Sequence, residues 1–201
     1  MRVTVVGILG GIGSGKSAVV RAVTKVRLKI IDADRIAHAL LDNPEVLGQL
    51  KQSFDPAVFG DDGRVVRSRL AQIVFGNTSE HSESLKVLER ILHPVIGREI
   101  ENQIQSVPED TEAVVIDAAL LLEAGRADRC DSLIFVETPV SQREARVLEN
   151  RGWCADELHR REAAQLPVDD KRRRADHVVD NSGSIEQAAA QMTAILRRMI
   201  S

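Results

Sequence analysis

The chain has 201 residues, 43% hydrophobic and 28% charged, which is the balance of an ordinary globular fold rather than a disordered or fibrous chain. A formal net charge of -3 and only five aromatics (one Trp, four Phe) argue against nucleic-acid binding, which needs a basic surface or stacking platforms. Charges or glycines interrupt every apolar run, and the two cysteines, Cys130 and Cys154, form no metal or disulfide pattern, so the expectation is no membrane span, no signal peptide and a reducing cytoplasmic setting.

Residues 3–9 form a continuous apolar run rich in β-branched side chains, as expected of a strand buried on both faces, and Gly10 and Gly11 end it. A helix is predicted from about Ser17. Residues 28–31 predict a second strand ending at Asp32, residues 113–116 a third ending at Asp117, residues 132–136 a fourth and residues 177–179 a fifth. Helical segments lie between them. This alternation predicts an α/β fold with a parallel sheet and ligands at the carboxyl ends of the strands.

The stretch between the second and third strands carries no convincing strand. Leu85, Leu88, Leu92, Val95 and Ile96 share one helical register there, with a break or kink expected at Pro94. The segment reads as a helical insertion, residues 35–110. Residues 141–165 are helical in pattern, interrupted at Gly152, and carry Arg143, Arg146, Arg151, Arg160 and Arg161, an arginine-bearing lid if the fold binds phosphate. The core is then residues 1–34, 111–140 and 166–201. The run KRRR at residues 171–174 is flanked by aspartates and reads mostly as surface, and Ser184 with Gln187 forms a capping box for the last helix.

The chemistry is carried by residues 10–17, GGIGSGKS, which satisfy G-x-x-x-x-G-K-[ST] directly after a strand and at the opening of a helix. Glycines there let consecutive N–H groups wrap a polyphosphate, Lys16 adds charge near its end, and Ser17 is placed to ligate magnesium. The fold class is therefore a P-loop NTPase sandwich of three layers, with Gly11, Ile12, Gly13, Ser14, Gly15, Lys16, Ser17 and Ala18 as the ATP-binding residues. Asp32 and Asp34 in DADRIAH are candidates for a base, a magnesium-shell ligand or a helix cap. Asp117 ends the run AVVID, the placement of an acid that orients the magnesium shell. Arg outnumbers Lys by 21 to 6, and guanidinium forks suit phosphate, although a charge-rich helix pair also serves as a solvated face.

Taken together, GGIGSGKS, DADRIAH, DGRVVRSRLAQIVF, LERILHPVI, DAALLLE and QLPVDDKRRRADHVVDNSG resemble, in order and spacing, the dephospho-CoA kinase family from residue 1 to about 190. The resemblance implies transfer of the ATP γ-phosphate to the ribose 3′-hydroxyl of dephospho-CoA, the last step of coenzyme A synthesis, with magnesium. It implies Asp34 as the base that receives the hydroxyl proton, and Asp32 as an acceptor-binding residue that supports the site. Arg67, His93, Pro94 and Leu120 fall in the family's acceptor segments, and Asn181 where the family lines the ATP base. Another small-molecule kinase of nucleoside or nucleotide type, or a nucleotide-dependent switch protein, shares part of this pattern. The chain departs from the family at Leu9, where Thr is common, at Val66 for Asp, and at Ala119 and Leu122 for Pro and Phe. The lid's Gln and Arg spacing is one residue long, which leaves the phosphate clamp open between Arg143 and Arg146.

Overall fold

The computed structural model describes residues 2–76 and 78–200, which divide into two compact units, Met1–Asp32 with Ser106–Ser201, and Ala33–Gln105. The strands are β1 (Thr4–Leu9), β2 (Leu28–Asp32), β3 (Ala113–Asp117), β4 (Ser132–Glu137) and β5 (His177–Asp180). The helices are α1 (Lys16–Arg21), α2 (Ala33–Leu40), α3 (Pro44–Ser53), α4 (Arg67–Val74), α5 (Ser79–Gln105), α6 (Val140–Arg151), α7 (Ala155–Glu162), α8 (Val168–Arg173) and α9 (Ile185–Ile200). All five expected strands are present, within a residue of the expected ends.

In the first unit the strands form one parallel sheet in the order β2-β3-β1-β4-β5. Every residue of β3 is buried, and five of the six in β1, which is why these segments read as unbroken apolar runs rather than alternating ones. On one face Val6, Ile8, Val115 and Ile134 pack with Val19 and Val20 of α1 and Met192 and Leu196 of α9. Each such side chain contributes about 1.5–3 kcal/mol on burial, so this face anchors the loop that joins β1 to α1. The register sets Asp117 opposite Ile8 on one side and opposite Asp32 on the other, so the carboxyl ends of β1, β3 and β2 coincide.

The residues expected to form a lid, 141–165, belong to this first unit. There α6 ends at Gly152, whose φ of 67° is the left-handed cap a glycine supplies without strain, and α7 follows. The capping box of α9 is formed, with Ser184 N–H donating to Gln187 Oε1 at 3.2 Å and Gln187 N–H to Ser184 Oγ at 3.3 Å.

The second unit is helical. Asn43 caps α3 through bonds from the Glu45 and Val46 N–H groups at 2.9 and 3.3 Å, with Pro44 at the first helical position. The expected break at Pro94 does not occur, and α5 runs unbroken from Ser79 to Gln105. Pro94 is exposed and removes one ladder hydrogen bond, whereas Leu92, Val95, Ile96 and Ile100 on either side are buried, and their burial holds both halves in one helix. Val66, standing where the resembling family has Asp, is the residue before α4 and offers no side-chain cap. Among the described residues no helix is long and apolar enough to cross a membrane.

Candidate active site

The loop from β1 to α1 is shaped by glycine and braced from three directions. Gly13 and Gly15 hold φ of 78° and 81°, and a Cβ on Gly15 would stand 2.8 Å from Asn181 Nδ2, so both conformation and space require glycine. Gly15 opens α1 with no side-chain cap, which leaves the helix's first amides facing the loop. Lys16 turns its ammonium back over the loop, donating to the carbonyls of Gly10 at 3.3 Å and Gly11 at 3.4 Å.

The brace converges on one carbonyl. Ser14 O accepts from Thr138 Oγ1 at 2.9 Å, Asn181 Nδ2 at 2.8 Å and Arg146 Nη1 at 3.3 Å. Three donors on one carbonyl fix the peptide plane between Ser14 and Gly15, and with it the direction of the following N–H groups. Asn181, expected along the ATP base, is buried and directs its side-chain amide to this carbonyl. Its own carbonyl accepts from Arg146 Nη2 at 3.2 Å, and that nitrogen also meets Gln142 Oε1 at 3.3 Å, one helical turn away.

Arg143 lies one turn earlier on the same face of α6. It is 4% exposed, pairs with Glu162 and donates to Ile12 O at 3.2 Å. Both expected lid arginines thus reach the loop, one at Ser14 and one at Ile12. A cavity of about 450 Å³ opens beside them, lined among others by Gly11, Thr138, Arg143, Arg172 and Asp180. Farther along the lid, the guanidinium carbons of Arg151 and Arg161 lie over the Trp153 ring, 4.7 and 4.0 Å from its centre.

At the strand ends, Asp117 is buried and Asp32 half-buried, on adjacent strands in register. Ser17 is half-buried in the first turn of α1, and Ala18, which follows it, is exposed. A hydroxyl and a carboxylate are hard oxygen donors that suit magnesium, which takes few protein ligands and keeps several waters. Among the described residues no group of three or more His, Cys, Asp or Glu converges.

Leu120 is half-buried just beyond β3. In the second unit Asp34 is exposed in the first turn of α2. Arg67 donates to His38 O at 3.1 Å and stands 3.9 Å from Asp42, while His93 is half-buried beside Pro94 on α5.

Sequence reasoning passed over four residues that the structure makes central. Thr138 and Glu162 contact the loop itself. Lys171, in a run read mostly as surface, is 2% exposed, although the three arginines after it are exposed as expected. Its ammonium reaches Glu123 Oε1 at 2.8 Å and Gln165 Oε1 at 2.9 Å, and the same Glu123 oxygen accepts from the Leu166 N–H at 2.9 Å. The Glu123 carboxyl is held below the ordinary glutamate value. Burial pushes it up, but the Lys171 hydrogen bond, the backbone N–H groups of Glu123 and Leu166 and the Lys171 charge outweigh that. An isolated lysine in an arginine run, with a glutamate after an apolar strand, is the only sequence signal for this pair.

A parallel sheet in this order, a glycine loop leading from its central strand into a helix and two arginines reaching that loop from α6 define a P-loop kinase. The fold is shared with shikimate kinase from Bacteroides thetaiotaomicron, at a TM-score of 0.54 and 13% identity over 96% of this chain and 98% of that one. A solved structure from Thermus thermophilus, TT1252, matches at a TM-score of 0.83 and 33% identity over 99% of both chains. The family model described as CoaE, dephospho-CoA kinase, matches residues 4–187. The chain belongs to that family. It is 36% identical to the dephospho-CoA kinase of Carboxydothermus hydrogenoformans over 96% of this chain and 93% of the relative, and 35% identical to that of Thermobifida fusca over 94% and 93%.

Proposed function

We propose that this protein transfers the γ-phosphate of ATP to the ribose 3′-hydroxyl of dephospho-CoA, giving coenzyme A in the cytoplasm. The observation that carries the reading is the phosphate loop itself, with Lys16 over it and Asp117 and Asp32 side by side at the neighbouring strand ends, in a chain of this family. Gly11 to Ala18 hold the polyphosphate through backbone N–H groups other than that of Ile12, which Glu162 takes, and through the Lys16 charge. Ser17 and Asp117 hold magnesium, which when bound neutralises phosphate charge. Arg143 and Arg146 place two fixed positive groups against the loop, where negative charge accumulates on the transferring phosphoryl group. Asp34 receives the proton of the attacking hydroxyl, and Asp32, at the end of β2, contributes to acceptor binding. Arg67, His93, Pro94 and Leu120 contribute to acceptor binding.

The test is an ATP turnover assay with dephospho-CoA, adenosine, AMP or no acceptor, the product weighed by mass spectrometry. Turnover stimulated by dephospho-CoA alone, with a product one phosphate heavier, and abolished in a folded Lys16→Ala variant, is the expected result. Equal stimulation by adenosine or AMP assigns a different acceptor, and a fully active Lys16→Ala overturns the site.

A further inference from the structure

Ile12, in the phosphate loop, is held at both ends by the helix pair that follows β4. Its N–H donates to Glu162 Oε1, at the end of α7, at 3.0 Å, and its carbonyl accepts from Arg143 Nη1, on α6, at 3.2 Å. The same Nη1 pairs with the same Oε1, which closes a triangle of loop, α6 and α7. The two side chains are only 5% and 16% exposed. A Cβ added to Gly11 would meet Arg143 Nη1 at 2.8 Å and Glu162 Oε1 at 2.9 Å, so the pair lies directly on the loop. The exposed arginines just before Glu162, Arg160 and Arg161, instead pair with Glu157 within their own helix. Glu162 alone of the α7 charges turns to the loop.

We propose that Glu162 is a positioning residue for phosphoryl transfer, setting the Arg143 guanidinium and the Ile12 peptide in one rigid arrangement. A guanidinium as buried as that of Arg143 keeps a fixed direction only when its charge and its hydrogen bonds are matched, and Glu162 supplies both. One carboxylate oxygen serves the arginine and the loop amide at once, so a displacement of α7 moves both together. Glu162 therefore acts through Arg143, and it ties the lid helices to the loop that holds ATP. The inference rests on the reading of this site as an ATP-dependent phosphotransferase.

The experiment compares the wild type with Glu162→Ala, Glu162→Gln, Arg143→Ala and the double alanine variant. ATP affinity is read by calorimetric titration, kcat and both KM values in the dephospho-CoA assay, and folding by thermal melts. Glu162→Ala is expected to weaken ATP binding and lower kcat, together by roughly 10- to 100-fold, the scale of a misplaced positioning group, with KM for dephospho-CoA unchanged. Glu162→Gln keeps an acceptor oxygen for both donors but not the charge, and is expected to recover only part of the loss. The double variant is expected to be no worse than Arg143→Ala. Wild-type ATP affinity and kcat in Glu162→Ala, whatever its melting temperature, overturn the proposal, as do losses that multiply in the double variant. The ATP titration needs no acceptor, so a wild type inactive on dephospho-CoA overturns the acceptor assignment alone.

Discussion

Replacing Lys171 by methionine removes an ammonium that is 3% exposed while leaving most of its aliphatic volume. Glu123 is then a carboxylate left with the backbone N–H groups of Glu123 and Leu166, and Gln165 Oε1 loses its donor. Removing one member of a buried pair costs about 3–5 kcal/mol, because the remaining charge stays desolvated. Glu123 is 20% exposed and recovers some hydration, so the lower end, about 3 kcal/mol, is the expected loss. In a chain of this size that lowers Tm by about 6–12 °C. The assay is thermal unfolding followed by far-UV circular dichroism, at pH 7 and at steps down to pH 4. The folded-state carboxyl of Glu123 lies below its ordinary value of 4.5, so its stabilisation is present above that value and is lost as pH falls through the lowered one. The gap between wild type and Lys171→Met is therefore widest near neutrality and narrows in acid. Lys171→Met paired with Glu123→Gln should regain part of the lost stability. A Tm within 2 °C of wild type at pH 7, or a gap that widens on acidification, refutes the reasoning.

Three other outcomes follow from particular sites. Val66 begins α4 without a side-chain acceptor, and Val66→Asp, which supplies one to the amides of the first turn, should raise stability by about 1 kcal/mol, read as a higher denaturation midpoint; no gain refutes the cap assignment. Cys130 has its thiol pushed up to about 12, first by burial and then by the Asp131 charge, whereas Cys154 is exposed at the start of α7. Iodoacetamide at pH 8 should label Cys154 and spare Cys130, as mapped by peptide mass spectrometry, and equal labelling contradicts this, since the thiolate is the reactive form. Asp34→Asn should lower kcat by roughly 10²-fold or more with little change in either KM, because a base acts in the transition state; an effect confined to KM makes Asp34 a binding residue only.

Much of this protein was legible because its decisive signals are local. A strand buried on both faces must be apolar throughout, so β1 and β3 announced themselves, and Asp117 and Asp32 marked the ends of β3 and β2. The phosphate loop is eight consecutive residues whose glycines answer to their own backbone angles, and the cap of α9 spans four residues. Other features depended on which segments the fold brings into contact. Pro94 read as a break or a kink, and the burial around it kept α5 unbroken. Lys171 stood in a run of four cations that read mostly as surface, and its burial required a glutamate from beyond β3. Glu162 meets Ile12 across 150 residues of chain. Local period and propensity state what a residue's neighbours in sequence require, whereas the partner of a buried charge is chosen by the parallel crossovers that set the sheet's strand order. The sequence alone therefore determined the elements and the phosphate loop, and only the tertiary structure decided which charges hold that loop and the lid helices in place.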